Sequence, residues 1–219
     1  MNDNEIPVLW TFRRCPYAMR TRLAIKSSGT QVYLREIVLR NKPDEFICDS
    51  AKATVPVLKL SNGKIIEESI EIMYWALTQN DPNNWCGVLN ARQEHSRNFL
   101  AKLDGQFKNN LDRYKYASRY GLGADESVKY RKEGSKFLSR VNDLLKETSF
   151  LSGESQGFLD IASLPFVRQF RIANPEWFDQ QDWPQLHNWL QTFLASNQFS
   201  LIMEKLKPWD SKQGQGVLF

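Results

Sequence analysis

A cysteine in an unusually basic setting carries the strongest chemical signal of this sequence. Cys15 stands directly before Pro16 in the run RRCPYAMRTR at 13–22, which holds four arginines. Proline suits the first position of a helix, so we expect Cys15 to cap a helix N-terminus. Nearby cations and the positive end of a helix dipole both favour the nucleophilic thiolate. The pattern therefore predicts a reactive cysteine, with a half-buried structural cysteine at the end of a strand as the alternative.

The spacing of the cysteines indicates how a disulfide at Cys15 would be released. A dithiol oxidoreductase carries Cys-x-x-Cys, but the residue three positions after Cys15 is Ala18. An external thiol must then do the release, which points to glutathione as the co-substrate. Cys48 and Cys86 lack the proline and the basic flank, so we interpret them as packing or passive surface residues.

A second informative stretch is Thr54-Val55-Pro56-Val57. An X-Pro bond before a strand is a candidate cis peptide, because proline tolerates the cis form. If this segment lies beside Cys15, the backbone N–H and C=O of Val55 can hydrogen-bond an extended peptide as an added strand would. An ordinary edge-strand proline is the alternative interpretation.

Polar residues that follow the next hairpin match the head group of an amino acid. Ser69 at a helix N-terminus offers its hydroxyl and backbone N–H groups to a carboxylate, and Glu68 offers a counter-charge to an ammonium. The γ-glutamyl end of glutathione presents both groups. A simple helix cap is the alternative for Ser69. Lys42 is a candidate partner for a second carboxylate, although a lysine in a loop is more often only solvated.

Strand and helix patterns alternate along the first 80 residues and place these side chains. Apolar runs predict strands at 7–12, 32–39, 55–60 and 64–66, the last two joined by the hairpin signal Asn62-Gly63. Helical periodicity covers 16–28, which stops at Gly29, and 69–77, while 42–52 is typical of a short helix. The order β-α-β-α-β-β-α predicts a layered α/β domain at 1–80.

The pattern changes after a segment of turn-forming residues, NDPNNWCG at 80–87. Apolar residues then repeat at helical spacing, and no strand-like run interrupts them. We therefore predict a linker at 81–87 and an all-helical domain at 88–219. The repeating residues are Leu100, Leu103, Phe107, Leu111 and Tyr114, then Phe137, Val141, Leu144 and Leu145, then Leu186, Trp189, Leu190, Phe193 and Leu194.

Composition excludes several classes of function. A net charge of +4, evenly spread over 219 residues, does not favour a nucleic-acid partner. Three scattered cysteines and two histidines predict neither a disulfide framework nor a metal site. The sequence has no signal peptide and no apolar stretch near the roughly 18 residues that cross a bilayer. We expect a cytoplasmic protein that uses neither metal nor membrane.

Taken together, the motifs resemble the glutathione transferase superfamily, and most closely its cysteine-dependent, omega-like branch. The matching segments are CPYAMRTRLAIKSSG (15–29), LRNKP (39–43), VPVL (55–58) and ESI (68–70). The resemblance implies a thioredoxin-like domain that binds glutathione, an all-α domain and a homodimer. It also implies that Cys15 forms a mixed disulfide with glutathione. Val55 and Pro56 would then hold its cysteinyl backbone, Glu68 and Ser69 its γ-glutamyl group, and Lys42 its glycyl carboxylate.

The resemblance implies three activities, namely thiol transfer, deglutathionylation and dehydroascorbate reduction, rather than strong conjugation. Two alternative functions remain open. One is a conjugating transferase, with Thr11 or Tyr17 as the hydroxyl donor to the glutathione sulfur. The other is a non-catalytic binding protein that keeps the fold. The sequence does not indicate the acceptor substrate. Four residues are candidates for lining its pocket, namely Asn109, Arg113, Tyr116 and Tyr120.

This chain departs from the family pattern at two places. Before the VPV segment it has Ser50-Ala51-Lys52-Ala53 where the family usually has Asn-Pro-x-Gly, which predicts a loop of another shape. In the helical domain the Ser/Thr-x-x-Asp capping box would fall on Gly157 and Asp160. Glycine has no side-chain acceptor, so we expect Asp160 to act there without a reciprocal partner.

Overall fold

The computed structural model describes residues 6–87 and 93–219, and the side chain of Gln213 is left out of the description. By their contacts these residues fall into two units. The first joins the described residues up to Asn83 with Asn197–Phe219, and the second is Asn84–Ser196. Among the described residues, no helix is long and apolar enough to cross a membrane.

The first unit is built on a small mixed sheet. Its strands are ordered β4-β3-β1-β2-β5. β1 and β2 pair in parallel, whereas the pairs β1–β3, β3–β4 and β2–β5 are antiparallel. The strands are β1 (Val8–Thr11), β2 (Tyr33–Glu36), β3 (Val57–Lys59), β4 (Ile65–Ile66) and β5 (Val217–Leu218).

Three helices follow β1, β2 and β4 in the predicted order. They are α1 (Pro16–Ser28), α2 (Asp44–Asp49) and α3 (Ser69–Gln79). The predicted α/β order is therefore confirmed, although β2, α2 and β3 are shorter than the periodicity predicted. The predicted end of α1 is also confirmed, because Gly29 is its C-cap.

The C-terminal segment adds a fifth strand that the sequence pattern did not predict. The predicted helical domain extended to 219, but Asn197–Phe219 has its contacts in the first unit. β5 pairs with β2 and becomes the edge strand of the sheet, and the Trp209 N–H donates to the Glu36 carbonyl over 2.7 Å. Gly216 permits this approach, since a Cβ there would lie 2.5 Å from the Leu34 oxygen. A two-residue strand paired far along the sequence leaves almost no local signal.

Large apolar side chains form the core beneath the candidate site. One buried cluster contains Trp10, Ile37, Phe46, Val55, Val57 and Trp209, and Cys15 packs against it. Trp209 meets the Trp10 ring edge-on, with the ring centroids 5.0 Å apart. The Arg35 guanidinium lies over both rings, at 4.8 and 4.3 Å from their centroids. The C-terminal segment is thus packed into the same core that supports Cys15 and Val55.

The second unit is helical, as predicted. Its core includes Phe107, Leu111, Leu138, Val141, Phe166 and Phe170. The helices are α4 (Gln93–Lys102), a π-helical turn (Leu103–Phe107), α5 (Lys108–Lys115), a 3-10 turn (Ala117–Tyr120), α6 (Ala124–Glu147), α7 (Phe158–Ala173), α8 (Pro175–Asp179) and α9 (Pro184–Leu194). Two more elements, α10 (Asn197–Ile202) and a 3-10 turn (Ser211–Gln213), belong to the first unit.

The start of α7 corrects the expectation that Asp160 lacks a reciprocal partner. Gly157 is the N-cap, and Asp160 accepts its N–H over 3.1 Å. The missing hydroxyl comes from Ser152, whose Oγ accepts the Leu159 N–H over 3.2 Å. A Cβ on Gly157 would lie 2.6 Å from the Ser152 Cβ, so Ser152 fills the space of the absent cap side chain. The capping box is therefore complete, with one half supplied by the preceding turn.

Candidate active site

The turn between β1 and α1 presents Cys15. The Cys15 N–H donates to the Phe12 carbonyl over 3.0 Å, which closes the turn. Cys15 has extended backbone angles as the N-cap of α1, and Pro16 is the first helical residue. The predicted placement of Cys15 is therefore confirmed. Since the side chain is only half-buried, its sulfur lies at a helix N-terminus and within reach of solvent.

Val55 lies directly beside this cysteine. The Cys15 thiol donates to the Val55 carbonyl with Sγ 3.6 Å from the oxygen. The Val55–Pro56 peptide bond is cis, as predicted, and β3 begins after it. In the thiol form, the Val55 carbonyl that we expect to bind a peptide therefore already accepts a hydrogen bond from Cys15. A carbonyl oxygen has two acceptor positions, so a ligand can still bind it. A thiolate has no proton to donate, and ionisation of Cys15 therefore leaves both positions of this oxygen available to a ligand.

Glu68 and Ser69 open α3. Glu68 is the N-cap and Ser69 the first helical residue, so Ser69 is not the capping residue of its own helix. Both Nε and Nη2 of Arg20 donate to the Ser69 hydroxyl oxygen, over 3.0 and 2.8 Å. Both side chains are buried. Because the oxygen accepts from Arg20, the hydroxyl hydrogen is oriented away from the guanidinium.

The loop before Val55 brings an unpredicted lysine to the site. The Lys52 ammonium lies 3.1 Å from a Glu68 carboxylate oxygen and 3.6 Å from one of Glu67. The pKa of Lys52 is raised, chiefly by the hydrogen bond to Glu68. Ala53 has a φ of 51°, in the left-handed region that glycine prefers. The chain thus adopts a glycine-type conformation at the position where the family usually has glycine.

Lys42 is not joined to these residues. It precedes Pro43, the residue before α2, and is half-buried. In the described part of the chain, no hydrogen bond or ion pair connects its ammonium to Cys15, Val55 or Ser69. Cys15 and Val55 are therefore in contact, and Glu68 and Ser69 lie together at the N-terminus of α3. Lys42 remains a candidate on the sequence alone.

Two buried ionisable residues, Arg22 and Glu36, hydrogen-bond the turn that precedes Cys15. The sequence pattern did not indicate either of them as a site residue. Arg22 donates from Nη1 to the Thr11 hydroxyl over 2.5 Å and from Nη2 to the Arg13 carbonyl over 2.8 Å. A carboxylate oxygen of Glu36 accepts the Arg13 N–H over 2.7 Å. The sequence signal that could have predicted Arg22 is its position seven residues after Cys15, close to two helical turns. No sequence signal could have predicted Glu36, because its position depends on the pairing of β2 with β1.

The other predicted residues are placed as follows. Thr11 is fully buried against Arg22, which removes it as a hydroxyl donor to a bound sulfur. Tyr17 is half-buried, with the Arg20 guanidinium over its ring. In the helical unit the Arg113 guanidinium lies over the Tyr120 ring, and Gln169 donates to the Tyr116 hydroxyl. Among the described residues, no group of three or more His, Cys, Asp or Glu could hold a metal ion.

Comparison with known proteins agrees with this geometry. Residues 9–85 match the family model of the glutathione S-transferase N-terminal domain, and residues 88–192 match that of the C-terminal domain. Glutathione S-transferase omega-1 of Sus scrofa is 38% identical over 195 residues, which cover 89% of this chain and 79% of that protein. Glutathione S-transferase U28 of Arabidopsis thaliana is 27% identical over 77% of this chain and 74% of its own length.

Solved structures show the same fold. A glutathione S-transferase from Methylobacillus flagellatus, crystallised with glutathione bound, superposes with a TM-score of 0.79 at 17% identity, over 91% of this chain and 100% of that one. Glutathione transferase Omega 2C from Trametes versicolor superposes with a TM-score of 0.74 at 17% identity, over 92% of this chain and 94% of that one. Relatives from both the omega and the plant U classes are therefore similar to this chain.

Proposed function

This chain belongs to the glutathione S-transferase family, and we propose that it is a glutathione-dependent thiol transferase of the omega-like type with Cys15 as its nucleophile. The observation that carries the proposal is the contact of 3.6 Å between the Cys15 sulfur and the Val55 carbonyl. This contact supports the proposal, because a thiol at a helix N-terminus is disposed to ionise and the backbone edge beside it suits an extended peptide.

The proposed reaction is an exchange of disulfides. The Cys15 thiolate attacks the glutathionyl sulfur of a mixed disulfide, the original S–S bond breaks, and the acceptor leaves as a thiolate that takes a proton from water. Cys15 and glutathione are then joined by a new S–S bond. The thiolate of a second glutathione attacks the glutathionyl sulfur, which yields oxidised glutathione and returns Cys15 as the thiolate. Such exchange is fastest when the attacking thiol has a pKa near the ambient pH.

Glutathione would lie along the edge between Cys15 and α3. The Val55 backbone would hold the cysteinyl residue as a short antiparallel strand beside cis Pro56. Glu68 would pair with the γ-glutamyl ammonium, and the Ser69 hydroxyl and the N-terminus of α3 would receive its carboxylate. Lys42 would contact the glycyl carboxylate. We also propose a homodimer, and a cytoplasmic setting in which Cys48 and Cys86 stay reduced.

Replacing Cys15 tests the proposal. We expect Cys15→Ala to abolish reduction of a glutathione mixed disulfide, whereas Cys48→Ala, at an exposed cysteine, leaves the rate unchanged. Conjugation of a chlorinated aromatic is measured on the same variants. If the parent only conjugates and Cys15→Ala conjugates equally well, the protein is a conjugating transferase. If neither reaction occurs while calorimetry shows bound glutathione, it is a binding protein.

A further inference from the structure

A buried arginine lies on the same side of α1 as Cys15. Arg22 is seven residues after Cys15, close to two helical turns, and long side chains of a helix lean toward its N-terminus. The Arg22 guanidinium therefore reaches the turn before the helix, where it bonds Thr11 and the Arg13 carbonyl. Its side chain is 2% exposed, and Nε has no hydrogen-bond partner.

A carboxylate approaches the same turn from the sheet. Glu36 ends β2 and pairs in register with Thr11 of β1, and its side chain is almost fully buried. Glu36 accepts the Arg13 N–H while Arg22 donates to the Arg13 carbonyl, so opposite charges hold the two sides of one residue. Arg13 stands two positions before Cys15.

The C-terminal segment packs next to both side chains. Arg13, Arg22 and Glu36 line a cavity of about 70 Å³ together with Leu34 and with residues of that segment. The segment contributes mainly apolar lining residues, among them Leu201, Ile202 and Phe219, together with Glu204. Because Arg22 and Glu36 are themselves largely removed from water, their charges act over a longer range than they do at the surface.

The charge states follow from this burial. Burial lowers the pKa of Arg22 to about 10, against the opposing influence of Glu36 and Cys15, so the guanidinium stays charged at neutral pH. Burial also raises the pKa of Glu36, although the Arg13 N–H and three arginines favour its ionised form. Among the influences that oppose burial at Arg22, Glu36 comes first and Cys15 second.

We propose that Arg22 and Glu36, two buried groups of opposite charge that bond the two sides of the Arg13 backbone, position the Cys15 turn and set the reactivity of its thiol in opposite senses. The Arg22 cation favours the thiolate, and the Glu36 carboxylate weakens that influence. This inference rests on the proposed function, in which Cys15 is the nucleophile, and it makes both residues positioning residues rather than catalytic ones.

The other charged groups around Cys15 are less suited to this role. Arg14 is exposed and is screened by solvent. Arg20 is engaged with Ser69 and with the Tyr17 ring. Arg13 donates from Nη1 to the Met203 carbonyl in the C-terminal segment. Glu204, the acidic group of that segment in the cavity lining, stays unchanged in the experiment below.

The experiment measures the rate at which iodoacetamide alkylates Cys15 between pH 5 and 10. A parent with Cys48→Ala and Cys86→Ser leaves Cys15 as the one thiol, and we compare it with Arg22→Met, Arg22→Lys and Glu36→Gln. Arg22→Met should raise the thiol pKa by about one unit, which lowers the alkylation rate below that pKa about tenfold. Arg22→Lys should lie closer to the parent. Glu36→Gln keeps an oxygen for the Arg13 N–H and should lower the thiol pKa.

Opposite shifts for Arg22→Met and Glu36→Gln support the proposal, because a general loosening of the turn would move both in the same direction. Equal pKa values in the parent and Glu36→Gln, or shifts of the same sign, overturn it. If Arg22→Met does not fold, as judged by circular dichroism, Glu36→Gln alone decides. Alkylation needs no glutathione, so the result stands even if the parent fails to reduce a mixed disulfide, in which case only the proposed function fails.

Discussion

Arg20 and Ser69 are joined by two hydrogen bonds to one hydroxyl oxygen, from Nε over 3.0 Å and from Nη2 over 2.8 Å. This contact links α1, which Cys15 caps, to the first residue of α3. It fixes the Ser69 hydroxyl where the γ-glutamyl carboxylate is proposed to bind. The helix that Cys15 caps and the N-terminus of α3 are therefore tied together through one guanidinium.

Replacing Arg20 should weaken glutathione binding. Arg20→Lys keeps the charge but loses the paired N–H donors, so the Ser69 hydroxyl is no longer held. We expect glutathione to bind about tenfold more weakly by isothermal titration calorimetry, the cost of about one hydrogen bond. Arg140→Lys, on the exposed side of α6, is the matched control and should bind as the parent does. Unchanged binding by a folded Arg20→Lys would show that Ser69 needs no such support.

The left-handed backbone of Ala53 predicts a stabilising substitution. This conformation costs a residue with a Cβ about 1 kcal/mol or more, and glycine adopts it freely. Ala53→Gly should therefore raise the melting temperature by about 2–4 °C in a chain of this size. Ala51→Gly, in the same loop but without a positive φ, should lower it. Equal effects from the two glycines would contradict the strain assigned to Ala53.

The shared cap of α7 predicts that two damaging substitutions compensate each other. Ser152→Gly removes the acceptor of the Leu159 N–H and should lower the free energy of unfolding by about 1 kcal/mol. Gly157→Ser should also destabilise, because its Cβ meets Ser152. Combining Gly157→Ser with Ser152→Gly moves the hydroxyl to the cap residue and relieves the clash. Denaturant unfolding should give a loss well below that of Gly157→Ser alone, and additive losses would refute this arrangement.

The raised pKa of Glu36 predicts how stability depends on pH. Burial keeps this carboxyl protonated in the folded protein at pH values where the unfolded chain has released the proton. Its contribution to stability is therefore present below the ordinary glutamate pKa and is lost as the pH rises through the folded pKa. The free energy of unfolding of the parent, relative to Glu36→Gln, should fall between pH 4 and pH 8 in urea titrations. If the free energy of unfolding of the parent, relative to Glu36→Gln, rises with pH instead, then the Arg22 charge affects the pKa of Glu36 more than burial does.

The sequence predicted those parts of the site that depend on neighbours along the chain. Cys15 before Pro16 forms the cap, and Val55 before Pro56 has the cis bond, because both patterns act within a few residues. Helical periodicity after the hairpin also indicated Glu68 and Ser69 as the start of a helix.

Contacts between distant segments were not predictable in the same way. β5 pairs with β2 across about 180 residues, and Glu36 meets Arg13 only because β2 lies beside β1. Lys52 reaches Glu68 because the 50–53 loop folds back toward α3. Each depends on how the chain returns to the sheet, which periodicity and spacing do not encode.

The central claim is that Cys15 accepts glutathione, and intact-protein mass spectrometry tests it most directly. After incubation with oxidised glutathione, the protein should gain the mass of one glutathionyl group, peptide mapping should place that group on Cys15, and reduced glutathione should remove it. Cys15→Ser should remain unmodified under the same conditions, although Cys48 stays exposed. A parent modified at Cys48 instead of Cys15, or a Cys15→Ser variant modified to the same extent, would contradict the account.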